Sequence, residues 1–101
     1  MGPCCYVGID PGRFFHGIVV QHADGTEVAR RRLPNDETAF ATFLAEVDTW
    51  ATGTGETPLW ILECRGGDAV MLTTFLLARH QAVTALTVEL TRFRGHSNAL
   101  G

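Results

Sequence analysis

The sequence predicts a single α/β domain built on a mixed sheet, with elements in the order βββαβαβ. Three features point to it. Short runs rich in Val, Ile and Phe open the chain, separated by the turn signals Asp10-Pro11-Gly12 and Asp24-Gly25. An apolar stripe at three- and four-residue steps follows, formed by Phe40, Phe43, Leu44, Val47 and Trp50. A third apolar run, Leu59 to Leu62, is continuous rather than alternating, as burial on both faces of a parallel sheet demands.

Taken in order, Cys4 to Ile9 reads as a buried strand that stops at a carboxylate, Asp10. Phe14 to Gln21 is the second strand, and Ala23-Asp24-Gly25-Thr26 turns the chain into a third, Glu27 to Leu33. Its Arg30 and Arg32 alternate with Ala29, Arg31 and Leu33, which suits an edge strand guarded by charge. Pro34-Asn35-Asp36-Glu37 starts a helix, with Asn35 as the expected cap and two acids facing the positive end of the dipole. That helix ends before Thr52-Gly53-Thr54-Gly55, and the fourth strand stops at a second carboxylate, Glu63. Gly66-Gly67-Asp68 opens a second helix reaching about His80, with Leu72, Phe75 and Leu76 on its apolar side. Val83 to Val88 is a fifth strand, and Glu89 begins a third helix.

Composition narrows the function classes. The longest apolar stretches fall far short of the ~20 residues that cross a bilayer, and no signal segment opens the chain, so a cytoplasmic protein with no membrane partner is expected. Cys4, Cys5 and Cys64 are odd in number and include an adjacent pair, a poor disulfide framework, with too few thiolates for structural zinc unless His contributes. They read as small buried hydrophobes. All basic side chains are Arg, and two blocks stand out, Arg30 to Arg32 and Arg92, Arg94 with His96. A net charge of −3 argues against a nucleic-acid coat protein while leaving local phosphate contacts open. There is no P-loop and no dinucleotide fingerprint, and Ser97 is the only serine.

Asp10 and Glu63 are the informative residues. Each directly follows an apolar strand, and each is followed by a glycine within a few positions. If those strands are parallel neighbours, the right-handed crossover rule brings both carboxylates to one end of the sheet, where open α/β sheets bind ligands. Two such acids without Lys repel each other unless a divalent cation lies between them, and Mg²⁺ suits one or two carboxylates plus waters and phosphate. The competing reading is that each acid only caps the turn after its strand. His16 is a further candidate for the same site, although a His flanked by Phe14, Phe15 and Gly17 more commonly packs in a core.

Val7-Gly8-Ile9-Asp10-Pro11-Gly12-Arg13, Asp24-Gly25, Arg30-Arg31-Arg32-Leu33-Pro34-Asn35, Leu62-Glu63-Cys64-Arg65-Gly66-Gly67 and Leu76-Leu77-Ala78-Arg79-His80 together resemble the amino-terminal domain of the DEDD transposases of bacterial insertion sequences. That family includes the Piv-type invertases and the bridge-RNA-guided recombinases. The resemblance implies a ribonuclease-H-like, RuvC-like fold, with residues 1–101 a partial catalytic domain truncated at its C-terminal end. It implies that Asp10 and Glu63 are the first two of four metal-binding acids for DNA strand cleavage and transfer. The family's other two aspartates lie just beyond a segment resembling Phe93 to Gly101. Arg13 stands where Lys is usual, and Arg65 where Thr commonly precedes Gly66.

On this reading Mg²⁺ or Mn²⁺ binds weakly and the isolated chain is inactive, because two carboxylates are too few to hold two metals. Arg13, Arg30, Arg31, Arg32, Arg65, Arg92 and Arg94 are the candidate nucleic-acid contacts, although no aromatic residue interleaves with the block Arg30 to Arg32. The expected partners are DNA, a guide RNA in the guided branch of the family, and a second copy of the chain. The alternatives left open are a Holliday-junction resolvase-like nuclease, a non-catalytic nucleic-acid-binding or dimerisation module, and a fragment of an actin-like ATPase.

Overall fold

The computed structural model describes residues 2–63 and 67–86. Five strands form one sheet: β1 (Cys4–Asp10), β2 (Phe15–Gln21), β3 (Glu27–Pro34), β4 (Thr57–Glu63) and β5 (Ala82–Leu86). Two helices join them, α1 (Glu37–Gly53) between β3 and β4 and α2 (Val70–Ala78) between β4 and β5. The sheet order is β3-β2-β1-β4-β5. The meander β1-β2-β3 is antiparallel, whereas β1-β4 and β4-β5 are parallel. This is the expected mixed α/β sheet, in a ribonuclease-H-like arrangement.

Strand alternation decides which face is covered. Cys5, Val7 and Ile9 of β1, Ile18 and Val20 of β2, and Trp60 and Leu62 of β4 are buried in one cluster with Phe40, Phe43 and Val47 of α1 and Leu72, Phe75 and Leu76 of α2. Phe43 meets Trp60 edge-on at 5.9 Å between ring centres, and Phe40 meets Phe75 at 5.5 Å. Such pairs add about 0.5–1.5 kcal/mol each beyond their burial. The indole N–H of Trp60 donates to Gln81 Oε1 at 3.0 Å, so the largest buried side chain leaves no polar atom unpaired.

The opposite face, bearing Tyr6, Gly8, Val19 and Ile61, carries no helix among the described residues. Leu59 and Ile61 on that face are half-buried, whereas Trp60 and Leu62 on the helix side are buried.

Several boundaries differ from the sequence reading. Asp36, not Asn35, caps α1: its backbone is extended and its carboxylate accepts the Ala39 N–H at 2.8 Å. Asn35 is diverted to His16 Nε2 at 2.9 Å and donates to the Arg13 carbonyl. The helix runs on to Gly53, one residue past the expected loop start at Thr52. β4 begins at Thr57 because pairing with Cys4 of β1 extends it beyond the apolar run. Pro58 is tolerated since β5 pairs with β4 only from Leu59 onward, leaving no donor demanded of it on that side.

α2 starts at Val70 with no side-chain cap, later than the expected Gly66. It ends before His80, whose positive φ of 59° terminates the helix in the left-handed conformation. β5 is described to Leu86; its expected continuation to Val88 and the helix from Glu89 lie outside the described residues.

Candidate active site

Ile9 pairs with Leu62 across the parallel β1-β4 ladder, and one residue later both strands end, at Asp10 and Glu63. Because Ile9 and Leu62 are buried against the helices, alternation turns the two acids to the open face. Both line one shallow trough of about 450 Å³, with Gly8, Gly17, Ile61 and Arg30 among its other walls. The Asp10 side chain is exposed and makes no hydrogen bond or ion pair with any described residue.

The trough exists because of what flanks Asp10. Gly17 pairs with Asp10 on one side and with Arg32 on its other, so a residue without a side chain separates the carboxylate from the arginine. A Cβ on Gly17 would lie 3.7 Å from the Asp10 Cβ, in contact with the wall of the acid site. Gly12 is tighter: a Cβ there would come within 2.2 Å of the Phe15 carbonyl oxygen. Only glycine fits this turn, which carries the chain from Asp10 into β2.

His16 holds the same turn from the other face. It is fully buried, accepts the Gly12 N–H at Nδ1 (3.2 Å), meets Asn35 Oδ1 at Nε2 and packs 5.9 Å from the Phe40 ring. His16 therefore belongs to the helix-covered core and does not reach the trough, which settles its reading as a packed histidine.

Strand alternation also divides the arginine block. Arg30 and Arg32 lie on the open face with Asp10, since they pair with Val19 and Gly17. Arg30 reaches Glu27 at 2.6 Å, and the Arg32 guanidinium lies 4.1 Å from the centre of the Phe15 ring. Arg31 turns to the helix side, where it meets Glu46 at 3.5 Å and lies over Trp50. Arg13 stacks on Phe14 at 5.3 Å.

Phe14 and Phe15 are 70% and 41% exposed, high for phenylalanine, so aromatic rings do accompany the arginines. Interleaving along the chain misses them, because the ring partner of Arg32 sits on the neighbouring strand. Arg65, Arg92, Arg94 and Cys64 lie outside the described residues. Cys5 is buried as expected, whereas Cys4 is half-buried.

Two carboxylates at neighbouring strand ends, opening to solvent, supply hard oxygen donors with room for waters, which fits Mg²⁺ or Mn²⁺. A sheet of this order with acids ending its two central parallel strands is the plan of a ribonuclease-H-like domain. Comparison with known proteins gives the family. The family model of the IS110-type DEDD transposases, described as Transposase, matches residues 7–98. The chain belongs to that family.

It is also similar to the insertion element IS900 uncharacterized 42 kDa protein of Mycobacterium paratuberculosis, with 33% identity over 76 residues. The match covers 75% of this chain and 18% of that protein, so the chain spans less than a fifth of its relative.

Proposed function

We propose that this chain is the amino-terminal part of a DEDD-type transposase catalytic domain, and that Asp10 and Glu63 supply two of the acids that hold divalent metal for DNA strand cleavage and transfer. The observation that carries the reading is the meeting of these two carboxylates, 53 positions apart in sequence, in one open trough. Metal held there would stabilise the attacking and leaving oxygens of phosphodiester exchange.

The chain's own residues do the rest. Asp10 and Glu63 fix the position of the bound cation, and the bare backbone at Gly8 and Gly17 leaves space for a sugar–phosphate strand beside them. Arg30, which lines the trough on β3, and Arg32, on the same face of that strand, offer planar donors to the flanking phosphates. Arg13, at the β1-β2 turn, extends that positive rim. Arg31 faces the helix layer and is not counted among these contacts. Held by Asp10 and Glu63 alone, Mg²⁺ or Mn²⁺ would bind weakly.

The test uses the complete transposase. Asp10→Asn, nearly isosteric, should abolish Mg²⁺-dependent nicking of its DNA substrate while leaving thermal unfolding unchanged. Nicking retained near the wild-type rate would remove Asp10 from the catalytic site, and a domain acting only by binding would then be the better reading.

A further inference from the structure

At the end of β1 and β4 remote from Asp10, we propose that Cys5, His22 and Glu56 form a three-residue zinc site. It is independent of the functional reading above. One donor atom from each residue lies within 4.8 Å of the other two. A tetrahedral Zn²⁺ with bonds of about 2.0–2.3 Å places its donors roughly 3.3–3.8 Å apart, so small side-chain rotations close the shell.

The topology explains the convergence. Tyr6 pairs with Gln21, which sets Cys5 beside His22, and Cys5 pairs with Pro58, two residues after Glu56. Alternation turns Cys5 toward the helix-covered side, where it is fully buried. A thiol, an imidazole and a carboxylate together form a borderline-soft donor set that suits zinc better than magnesium.

The surroundings resemble the outer shell of a metal site. His22 Nδ1 lies 2.7 Å from Glu56 Oε1, which also accepts from the Thr54 hydroxyl at 2.7 Å. Glu56 Oε2 accepts the Ala23 N–H at 2.7 Å. Both carboxylate oxygens are thus oriented by neighbours that can remain in place when Oε1 turns a lone pair to a cation. The Glu56 side chain is 6% exposed and that of His22 26%, so the His22 edge is the way in.

Burial, reinforced by the charge of Glu56, pushes the Cys5 thiol above its ordinary range, so the thiol keeps its proton when no cation is present. Zinc binding forms the sulfur–metal bond and releases that proton to solvent. The fourth position is left to water. The bound ion would tie β1, the start of the β2-β3 hairpin and the α1-β4 connection at one point.

The experiment takes the 101-residue chain, without an affinity tag, stripped of metal with a chelator and titrated with Co²⁺ and then Zn²⁺. The expected result is a sulfur-to-cobalt charge-transfer band with tetrahedral d–d bands, both erased by Zn²⁺, and a Zn²⁺-dependent rise in melting temperature. Cys5→Ala and His22→Ala should lose the band and weaken Zn²⁺ binding by more than about 100-fold, the upper range for loss of an outer-shell partner alone. Thr54→Val should weaken it about 10–100-fold.

Cys4→Ala removes the neighbouring thiol, on the other side of the strand, and should leave band and affinity unchanged. A wild-type cobalt complex without the charge-transfer band, or equal melting in Zn²⁺ and chelator, would overturn the proposal. So would an unchanged affinity in Cys5→Ala. If Cys5→Ala fails to fold, the wild-type spectrum and His22→Ala decide between the two outcomes.

Discussion

Glu56 and Asp10 occupy opposite ends of the same parallel strand pair, one just before β4 and the other closing β1. Glu56 is nearly buried, and Ala23, His22 and Thr54 supply donors to its carboxylate. Asp10 is exposed on the open face, with no partner among the described residues. A carboxylate satisfied by the protein stabilises the fold through those bonds. One left to solvent in a trough contributes little to folding and keeps its oxygens available for a ligand. Substitutions at the two ends should therefore separate function from stability.

The largest effect is expected at the Asp10 end and in activity only. In the complete transposase, Asp10→Asn or Glu63→Gln should lower metal-dependent strand cleavage by at least about a thousandfold, the scale of several kcal/mol of lost transition-state stabilisation. For Asp10→Asn, stability should change by no more than about 0.5 kcal/mol, as is usual for exposed positions. Loss of cleavage accompanied by a matching fall in melting temperature would erase the contrast with Glu56.

Gly12→Ala probes the scaffold beneath Asp10. Its Cβ would meet the Phe15 carbonyl, so the β1-β2 turn must open, at a cost of about 3 kcal/mol in chemical denaturation. Unchanged stability would mean that this turn does not set the position of Asp10.

At the other end the signature is pH. The Ala23 N–H first, then His22 and Thr54, hold the Glu56 carboxyl below its ordinary value of 4.5. A lowered folded-state value adds stability that is fully present above the unfolded value and is lost as pH falls through the folded one. With chelator present, melting temperature should fall as pH drops below about 4.5, and Glu56→Gln should flatten that fall. An equally steep acid limb in the variant would assign it to other carboxylates. Asp24, held low chiefly by the Thr26 N–H, persists in both proteins as a background.

The smallest effect tests the approach to β5, at the Glu56 end of the sheet. His80 occupies the left-handed region after α2, where glycine is unstrained. His80→Gly should raise stability by at most about 1 kcal/mol. A loss instead would mean that the imidazole makes a contribution its backbone strain conceals.

The placement of Asp10 and Glu63 was legible because it follows from two regularities, the right-handed crossover between parallel strands and the period-two alternation of side chains. Both act on residues close in sequence to a recognisable strand. The partners of Asn35, Arg31 and Cys5 were not legible, since each is supplied by a distant segment, although the burial of Cys5 was. Asn35 is claimed by His16, which leaves the helix cap to Asp36. Arg31 faces α1 because Ala29 and Leu33 on the same strand are buried there, a fact that three consecutive arginines conceal. Cys5 meets His22 and Glu56 only once β1 lies between β2 and β4. The stacking of Arg32 on Phe15 was hidden for the same reason.

The sharpest check on a divalent cation shared by Asp10 and Glu63 is to titrate Mn²⁺ into isotopically labelled chain and follow the paramagnetic broadening of backbone amide resonances. Mn²⁺ prefers oxygen donors, and broadening registers even weak binding near the ion. Signal loss should centre on Asp10, Gly17 and Glu63, reverse with excess Mg²⁺ and be absent in Asp10→Asn. Broadening that spares Asp10 and centres on Glu56, or that persists unchanged in Asp10→Asn, would contradict a shared cation there.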